Sequence, residues 1–202
     1  MDITTLLFDL GGVCLSNGWD HEQRQRVATQ FGFEYEAYDA RHRQVVDSLE
    51  RGQLSLEDYL DWTLFYEPRP FTRPEIEQAI FDLSTPIQPT LDLVRRLHDG
   101  RRYMLATLNN ESLELNNFRI NKFKLCEIFT VFFSSCYLNM TKPTPTIYRH
   151  ALDLLQREPG ECLFVDDRPM NCEVARILGM QTIQFKDADQ LAHELKQHGV
   201  EV

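Results

Sequence analysis

Five short apolar stretches, spread along a chain of 202 residues, constrain the fold more than any other feature of the sequence. They are near-continuous rather than alternating, as in strands that are buried on both faces of a parallel sheet. They comprise residues 3–8, 102–107, 130–134, 162–165 and 181–185. Amphipathic helical patterns lie between the later stretches, over residues 88–98, 146–156 and 173–178. This alternation predicts an α/β fold with a doubly wound, Rossmann-like parallel sheet.

Residues 14–87 interrupt the alternation, because they contain no convincing strand pattern. Helix-start signals and apolar spacing predict four helices in this segment, beginning near Asp20, Tyr35, Ser55 and Thr72. We therefore expect an α/β catalytic core formed by residues 1–13 and 88–202, with a small all-helical cap formed by residues 14–87 inserted into it.

Charge and cysteine content limit the partners and the compartment of the protein. The chain has 21 Lys and Arg residues against 31 Asp and Glu residues, so its net charge is −10. This balance predicts no nucleic-acid partner and no anionic-membrane partner. The five cysteines are odd in number and form no Cys-x-x-Cys pair, which is typical of reduced thiols. The reduced thiols predict a cytoplasmic location. Because the sequence has no basic N-terminal region and no long apolar run, we expect no secretion signal and no membrane span. The expected state is a monomer or a homodimer.

Four polar features follow the predicted strands in chain order. They are Asp9 with Gly11 and Gly12, then Thr107, then Lys142, and finally Asp166 with Asp167. Any one of them alone would be weak evidence, because acidic and capping residues are common at strand ends. The carboxyl ends of parallel strands meet at one edge of the sheet, so we expect these four features to converge there.

This combination of residues suits phosphoryl transfer. The transition state of that reaction spreads charge over three oxygens and requires positioning and counter-charge. Asp9 offers a carboxylate nucleophile. Three converging carboxylates, Asp9, Asp166 and Asp167, would raise one another's pKa unless a cation lay between them. The sequence therefore predicts a bound divalent ion with oxygen ligands, best interpreted as Mg²⁺.

The remaining strand-end residues suit a phosphate ligand. Lys142 would screen the nucleophile from the phosphate, and the Thr107 hydroxyl could donate to a phosphate oxygen. Gly11 and Gly12 would let backbone N–H groups approach the anion closely, although a glycine pair could equally form a tight turn without a ligand. A small phosphorylated molecule is the substrate that this set predicts.

Residues 142–148 and 164–171, the latter followed by residues 175–180, carry the most specific similarity to a known family. Together with Asp9 and Thr107, they resemble the four motifs of the haloacid dehalogenase-like hydrolase superfamily. The predicted helical insertion after the first motif resembles subfamily I, and the Phe-Asp-Leu-Gly stretch at residues 8–11 resembles its glucose-1-phosphate phosphatase-like branch. The resemblance spans nearly the whole chain.

The resemblance implies a role for each matching residue. Asp9 would become an aspartyl-phosphate, Thr107 would bind phosphate and Lys142 would neutralise charge. The implied metal ligands are Asp9, Asp166, Asp167 and the backbone carbonyl of Gly11. The implied activity is Mg²⁺-dependent hydrolysis of a phosphoric monoester, possibly a sugar phosphate.

Two departures from the family pattern leave alternatives open. Family phosphatases typically have a second aspartate, a general acid and base worth about 10²–10⁴ in rate, where this chain has Gly11. Leu108 separates Thr107 from Asn109, our candidate for substrate binding at the second motif. The chain could therefore be a catalytically silent binding or regulatory protein. Dehalogenation of haloacids is a weaker alternative, since that chemistry uses no metal to balance the Asp166–Asp167 charges.

Substrate choice is expected to depend on the cap. Arg41 and His42 lie within a basic cluster on its second predicted helix. Such clusters usually form a solvated helical face. The functional interpretation is that Arg41 or His42 contacts anionic or hydroxyl groups of the substrate.

Overall fold

The computed structural model describes residues 2–202, and five parallel strands form one sheet at its centre. The strands are β1 (Thr5–Phe8), β2 (Met104–Asn109), β3 (Val131–Ser134), β4 (Cys162–Asp166) and β5 (Gln181–Gln184). Their order in the sheet is β3-β2-β1-β4-β5, with Phe8 level with Thr107 on one side and with Val165 on the other. The chain adds strands on one side of β1 and then on the other, so the switch point lies at the end of β1. The prediction of a doubly wound, Rossmann-like α/β fold is confirmed.

Helices cover both faces of this sheet. They are α5 (Gln88–Gly100), α6 (Leu113–Lys122), α7 (Ser135–Leu138), α8 (Pro145–Leu155), α9 (Pro169–Ile177) and α10 (Ala188–Gln197). Successive strand residues point into two separate apolar clusters: Leu6 and Phe8 belong to one, and Leu7 and Phe164 to the other. Because the inner strands β1, β2 and β4 are buried on both faces, they have no polar face, which explains their near-continuous hydrophobicity. The edge strand β5 is more polar and ends at the exposed Gln184.

Four helices occupy the segment between β1 and α5. They are α1 (His21–Phe31), α2 (Tyr35–Glu50), α3 (Leu56–Thr63) and α4 (Arg73–Asp82). Three begin where the sequence predicts a cap: Asp20 accepts from the backbone of Gln23 at 3.1 Å, Ser55 accepts from the backbone of Asp58 at 3.0 Å, and Thr72 forms a capping box. The helices share an apolar cluster that includes Tyr38, Tyr59 and Leu60, and Leu115 of α6 also belongs to it.

The chain leaves the sheet and returns to it at one junction. Leu15 forms a β-bridge with Pro86, the Ser16 N–H donates to the Thr85 carbonyl at 2.8 Å, and the Ile87 N–H donates to the Cys14 carbonyl at 3.0 Å. The junction coincides with the limits of residues 14–87. The assignment of that segment as a separate cap domain stays a prediction. None of the helices formed by residues 2–202 has the length and apolar content that a membrane crossing requires.

Candidate active site

Asp9 directly follows β1 and meets Lys142 in a buried position. The Nζ atom of Lys142 lies 3.1 Å from Asp9 Oδ1 and donates to Asp166 Oδ2 at 2.6 Å. All three side chains are nearly or fully buried. Asp9 Oδ1 also accepts from the backbone N–H of Leu10 at 2.8 Å, which holds the carboxylate at the strand end. The structure thus brings together the acid of the first strand and the lysine that follows the third.

Asp167 completes a cluster of three acids. One carboxylate oxygen each from Asp9, Asp166 and Asp167 lies within 4.8 Å of the others. Burial raises the pKa of Asp9, Lys142 lowers it, and Asp166 and Asp167 raise it again, so that the net shift is upward. Three carboxylates against one ammonium leave the cluster short of positive charge. The donor set therefore fits a hard divalent cation such as Mg²⁺, which prefers oxygen ligands.

The ammonium of Lys142 is held in place from several sides. Burial lowers its pKa, but the contacts with Asp9 and Asp166 raise it by more, so the net shift is upward and the charge is retained. Asn110 fixes the backbone of Lys142 on both sides: its Nδ2 donates to the Lys142 carbonyl at 2.9 Å, and its Oδ1 accepts from the Lys142 N–H at 2.8 Å. Asn171 Nδ2 donates to Asp166 Oδ1 at 2.9 Å.

The glycine pair shapes the loop after Asp9. Gly12 has a φ of +76°, and a Cβ atom added there would lie 2.5 Å from Asp167 Oδ2. A side chain at this position would therefore displace the Asp167 carboxylate. Gly11 lines the cleft in front of Asp9, and the metal-binding role of its carbonyl stays a prediction.

A cleft of about 430 Å³ opens above this cluster. Asp9, Gly11, Asn110 and Lys142 line it from the side of the sheet. The helical segment contributes Trp19, Arg24, His42 and Glu50 to the opposite wall. Reactive groups of the sheet and polar groups of the helices therefore face the same cleft.

The structure places Thr107 and Asn109 outside the cleft, contrary to our expectation. Thr107 is fully buried, and its Oγ1 has no hydrogen-bond partner within residues 2–202. The physical reason is the length of β2, which continues to Asn109 and leaves Thr107 two residues before the strand end. Asn109 is 2 % exposed and bonds instead to Asn116 and Ser134, at 3.0 Å each. Asn110 and Ser112 line the cleft at this edge.

The two cap candidates have different surroundings. Arg41 points away from the cleft: its Nη1 donates to the Trp62 carbonyl at 3.1 Å, and its guanidinium lies 3.6 Å from the centre of the Tyr66 ring. This placement contradicts a substrate-binding role for Arg41. His42 does line the cleft, with its Nδ1 2.8 Å from the Tyr59 hydroxyl. Burial, reinforced by Arg24, lowers the pKa of His42 to about 4, so its ring is neutral near pH 7.

Sequence reasoning missed several residues of the cleft. Asn110 had a usable signal, since it directly follows the true end of β2, and Asn171 lies within the motif that contains Asp166 and Asp167. Glu50 carries no such signal. Its position depends on how the helical segment packs against the sheet, which no local pattern specifies.

Comparison with known proteins gives a consistent family. The model of the haloacid dehalogenase-like hydrolase family matches residues 3–179. Over 113 residues, the chain is 34% identical to flavin mononucleotide hydrolase 1 of Arabidopsis thaliana. The aligned stretch covers 52% of this chain and 46% of that protein. Over 75 residues, it is 40% identical to bifunctional epoxide hydrolase 2 of Sus scrofa. This aligned stretch covers 36% of this chain and 14% of that protein. The matches thus span less than half the length of these relatives.

Solved structures show the same architecture. A HAD family enzyme from Bacteroides thetaiotaomicron, in complex with magnesium and inorganic phosphate, superposes with a TM-score of 0.81 at 24% identity, covering 95% of this chain and 98% of that one. A dehalogenase superposes with a TM-score of 0.65 at 22% identity, covering 89% and 83%. At these identities the likeness establishes the fold alone. The family match over residues 3–179, joined to this fold and to the cluster around Asp9, shows that the chain belongs to the haloacid dehalogenase-like hydrolases.

Proposed function

We propose that this hydrolase is a Mg²⁺-dependent phosphatase that removes phosphate from a small phosphorylated metabolite through an aspartyl-phosphate on Asp9. The observation that carries the proposal is the cluster at the end of β1. Asp9 lies 3.1 Å from the Lys142 ammonium and within 4.8 Å of the other two carboxylates, in one buried group. A nucleophile, a counter-charge and cation ligands at one point are the requirements of phosphoryl transfer.

Each residue has a chemical task in this proposal. The Asp9 carboxylate attacks phosphorus, and the Lys142 ammonium offsets the repulsion between this carboxylate and the phosphate oxygens. Asp9, Asp166 and Asp167 would hold Mg²⁺, which when bound supplies positive charge to the phosphate. Asn110 and Asn171 keep Lys142 and Asp166 in place. Because these groups are already fixed by hydrogen bonds, they need little rearrangement during the reaction.

The size of the cleft and the relatives guide the choice of substrate. A cleft of about 430 Å³ suits a small ligand. The Arabidopsis relative is a flavin mononucleotide hydrolase, and the Bacteroides neighbour binds magnesium and inorganic phosphate. Sugar phosphates and flavin mononucleotide are therefore the first compounds to assay. The cytoplasmic location and the state of monomer or homodimer stay predictions.

Replacement of the nucleophile tests the proposal. We expect Asp9→Asn to lower hydrolysis of a panel of phosphate esters by about 10⁴-fold or more, because a carboxamide cannot form the covalent intermediate. Asp92→Asn, an exposed position on α5, serves as the control and should leave the rate unchanged. Retained hydrolysis in Asp9→Asn would remove the assignment of the nucleophile.

A catalytically silent binding protein is the second candidate, because Gly11 leaves the cleft without the usual general acid. This candidate predicts binding of Mg²⁺ and phosphate without turnover of any ester. Formation of a stable beryllofluoride adduct on Asp9, together with ester hydrolysis, would exclude it. The weaker dehalogenase alternative predicts release of halide in the presence of a chelator.

A further inference from the structure

A phosphatase with glycine at position 11 needs another source of the proton that its leaving group takes up. The cleft contains nine titratable side chains within residues 2–202: Asp9, Asp20, His21, Arg24, His42, Glu50, Glu111, Lys142 and Arg168. Asp9 and Lys142 already have tasks, and the two arginines do not release protons near neutral pH. The candidates are therefore the two histidines and three carboxyl groups.

Four of these five candidates are already engaged or in the wrong protonation state. Glu111 forms a buried ion pair with Arg119 at 3.1 Å, and Asp20 caps α1 by accepting from the Gln23 N–H. The His21 ring lies 2.7 Å from the Tyr35 hydroxyl. His42 is neutral near pH 7 because its pKa is lowered to about 4, so it carries no imidazolium proton to donate.

Glu50 is the remaining carboxyl group. It is the last residue of α2, it is half-buried, and it lines the same cleft as Asp9. Within the described chain, the one polar contact of its carboxylate is with Asn110 Nδ2, at 3.4 Å. Asn110 is the residue that fixes the Lys142 backbone. Asn110 therefore contacts both Glu50 and Lys142, the lysine that contacts the nucleophile.

Contacts with the sheet side hold the end of α2 in this position. The Glu50 carbonyl accepts from Ser135 Oγ at 2.6 Å, and the same oxygen of Ser135 accepts from the Glu111 N–H at 3.0 Å. Gly52 has a φ of +68°, and a Cβ atom there would collide with the Cys136 carbonyl. The turn after α2 thus lies directly against the chain that follows β3, and this contact orients Glu50.

We propose that Glu50 is the general acid and base that takes the place of the side chain missing at Gly11. The inference rests on the proposed phosphatase function. In the first step Asp9 attacks phosphorus, the bond to the leaving oxygen breaks, and that oxygen takes the Glu50 proton. In the second step the Glu50 carboxylate takes a proton from water, the hydroxide oxygen bonds to phosphorus, and the bond to Asp9 breaks. Inorganic phosphate is released, and Glu50 is protonated again.

The electrostatic surroundings of Glu50 suit both steps. Burial raises the pKa of Glu50, and the Glu111 carboxylate raises it further. Arg168 lowers it, Asp47 raises it and Lys142 lowers it, with a net value of about 7. A carboxyl group with this pKa can donate a proton near neutral pH and accept one afterwards.

Leaving groups of different basicity separate this role from a structural one. With Glu50→Gln, we expect kcat/KM for an alkyl phosphate to fall about 10²–10⁴-fold. The rate of the first turnover, in which p-nitrophenyl phosphate releases nitrophenolate, should fall less than about tenfold, because that leaving group departs without a proton. The phosphorylated enzyme should then accumulate, since water is no longer activated. Glu50→Asp, which keeps the carboxyl group, should recover part of the lost rate.

Glu36→Gln, an exposed position in the first turn of α2, is the matched control and should stay within about twofold of the wild type. The thermal unfolding midpoint and beryllofluoride trapping should match the wild type in Glu50→Gln. Equal loss for both leaving groups, or no loss, would overturn the role of Glu50. A wild-type enzyme that releases no nitrophenolate, or an Asp9→Asn variant that still releases it, would instead overturn the proposed function, and with it this inference.

Discussion

At the scale of single residues, the candidate site depends on a position that has no side chain. Gly12 combines a left-handed backbone with a close approach to Asp167, and these two requirements can be separated by comparison with another glycine. Gly32, which ends α1, has a φ of +69° and no neighbouring heavy atom within 4 Å of an added Cβ.

Alanine at these two glycines should therefore have unequal effects. Both substitutions should lower the free energy of unfolding by about 1 kcal/mol, because alanine disfavours the left-handed conformation. Only Gly12→Ala should also weaken Mg²⁺ binding, by about 10–100-fold, since it displaces a carboxylate of the cluster. Calorimetric titration of each variant with Mg²⁺ measures this difference. Equal affinities would contradict the role we assign to Asp167.

Much of the acid–lysine cluster could be predicted from the sequence, because strand ends in a parallel sheet converge whatever else the chain does. Asp9 and Asp167 directly follow β1 and β4, Asp166 ends β4, and Lys142 lies eight residues after β3. These four residues do meet. The expected position of Thr107 in the cleft was wrong, because that expectation required the end of β2 to be located to within two residues. Apolar runs do not specify strand ends that closely, since Leu108 continues the run.

At the scale of elements, α6 shows why a helix can lack the usual sequence pattern. Its buried positions include Asn116 and Arg119, so a polar network replaces the apolar stripe by which a helix is recognised. Arg119 is 2 % exposed, and its guanidinium donates to the carbonyls of Ser16 and Asn17 at 2.8 Å each, while it pairs with Glu111. The helices of residues 21–82 carry start signals and apolar spacing, and the positions at which they begin were predicted to within about one residue.

Removal of the buried Arg119 guanidinium should destabilise the folded protein. We expect Arg119→Met to lower the free energy of unfolding by about 3–5 kcal/mol, because Glu111 would remain buried without a partner. The double variant Glu111→Gln with Arg119→Met should recover part of that loss. Arg96→Met, an exposed position on α5, should change stability by less than about 0.5 kcal/mol. Urea unfolding of the four proteins provides the comparison, and a loss in Arg119→Met no larger than in Arg96→Met would show that the pair is dispensable.

At the scale of the whole molecule, the prediction of the sheet was correct because five separate apolar stretches along the chain each indicate a strand. The packing of the helical segment against it was not predictable, because that contact consists of single polar residues such as His42 and Glu50. His42 is 4 % exposed and bonds to Tyr59, which itself contacts Tyr38 and Trp19. A neutral ring at this position links the stability of the protein to pH.

The direction of this pH effect follows from the lowered pKa of His42. In the unfolded chain the ring takes up a proton near pH 6.5, whereas in the folded protein it does so only near pH 4. Stability from this residue is therefore complete above about pH 7 and is lost as the pH falls towards 4. We expect the wild type to lose about 2–3 kcal/mol more than His42→Gln between pH 7 and 4.5, measured by urea unfolding. Parallel losses in the two proteins would mean that the folded ring binds protons as the unfolded one does.

The contacts of Arg119 also limit how the two halves of the cleft can separate. The Arg119 guanidinium, on α6, donates to the Ser16 and Asn17 carbonyls where the chain leaves the sheet, and to Ser84 Oγ at 3.1 Å where the chain returns. Both crossings are therefore attached to the same helix. We expect any widening of the cleft to be a rotation of the helical segment about these crossings rather than a translation.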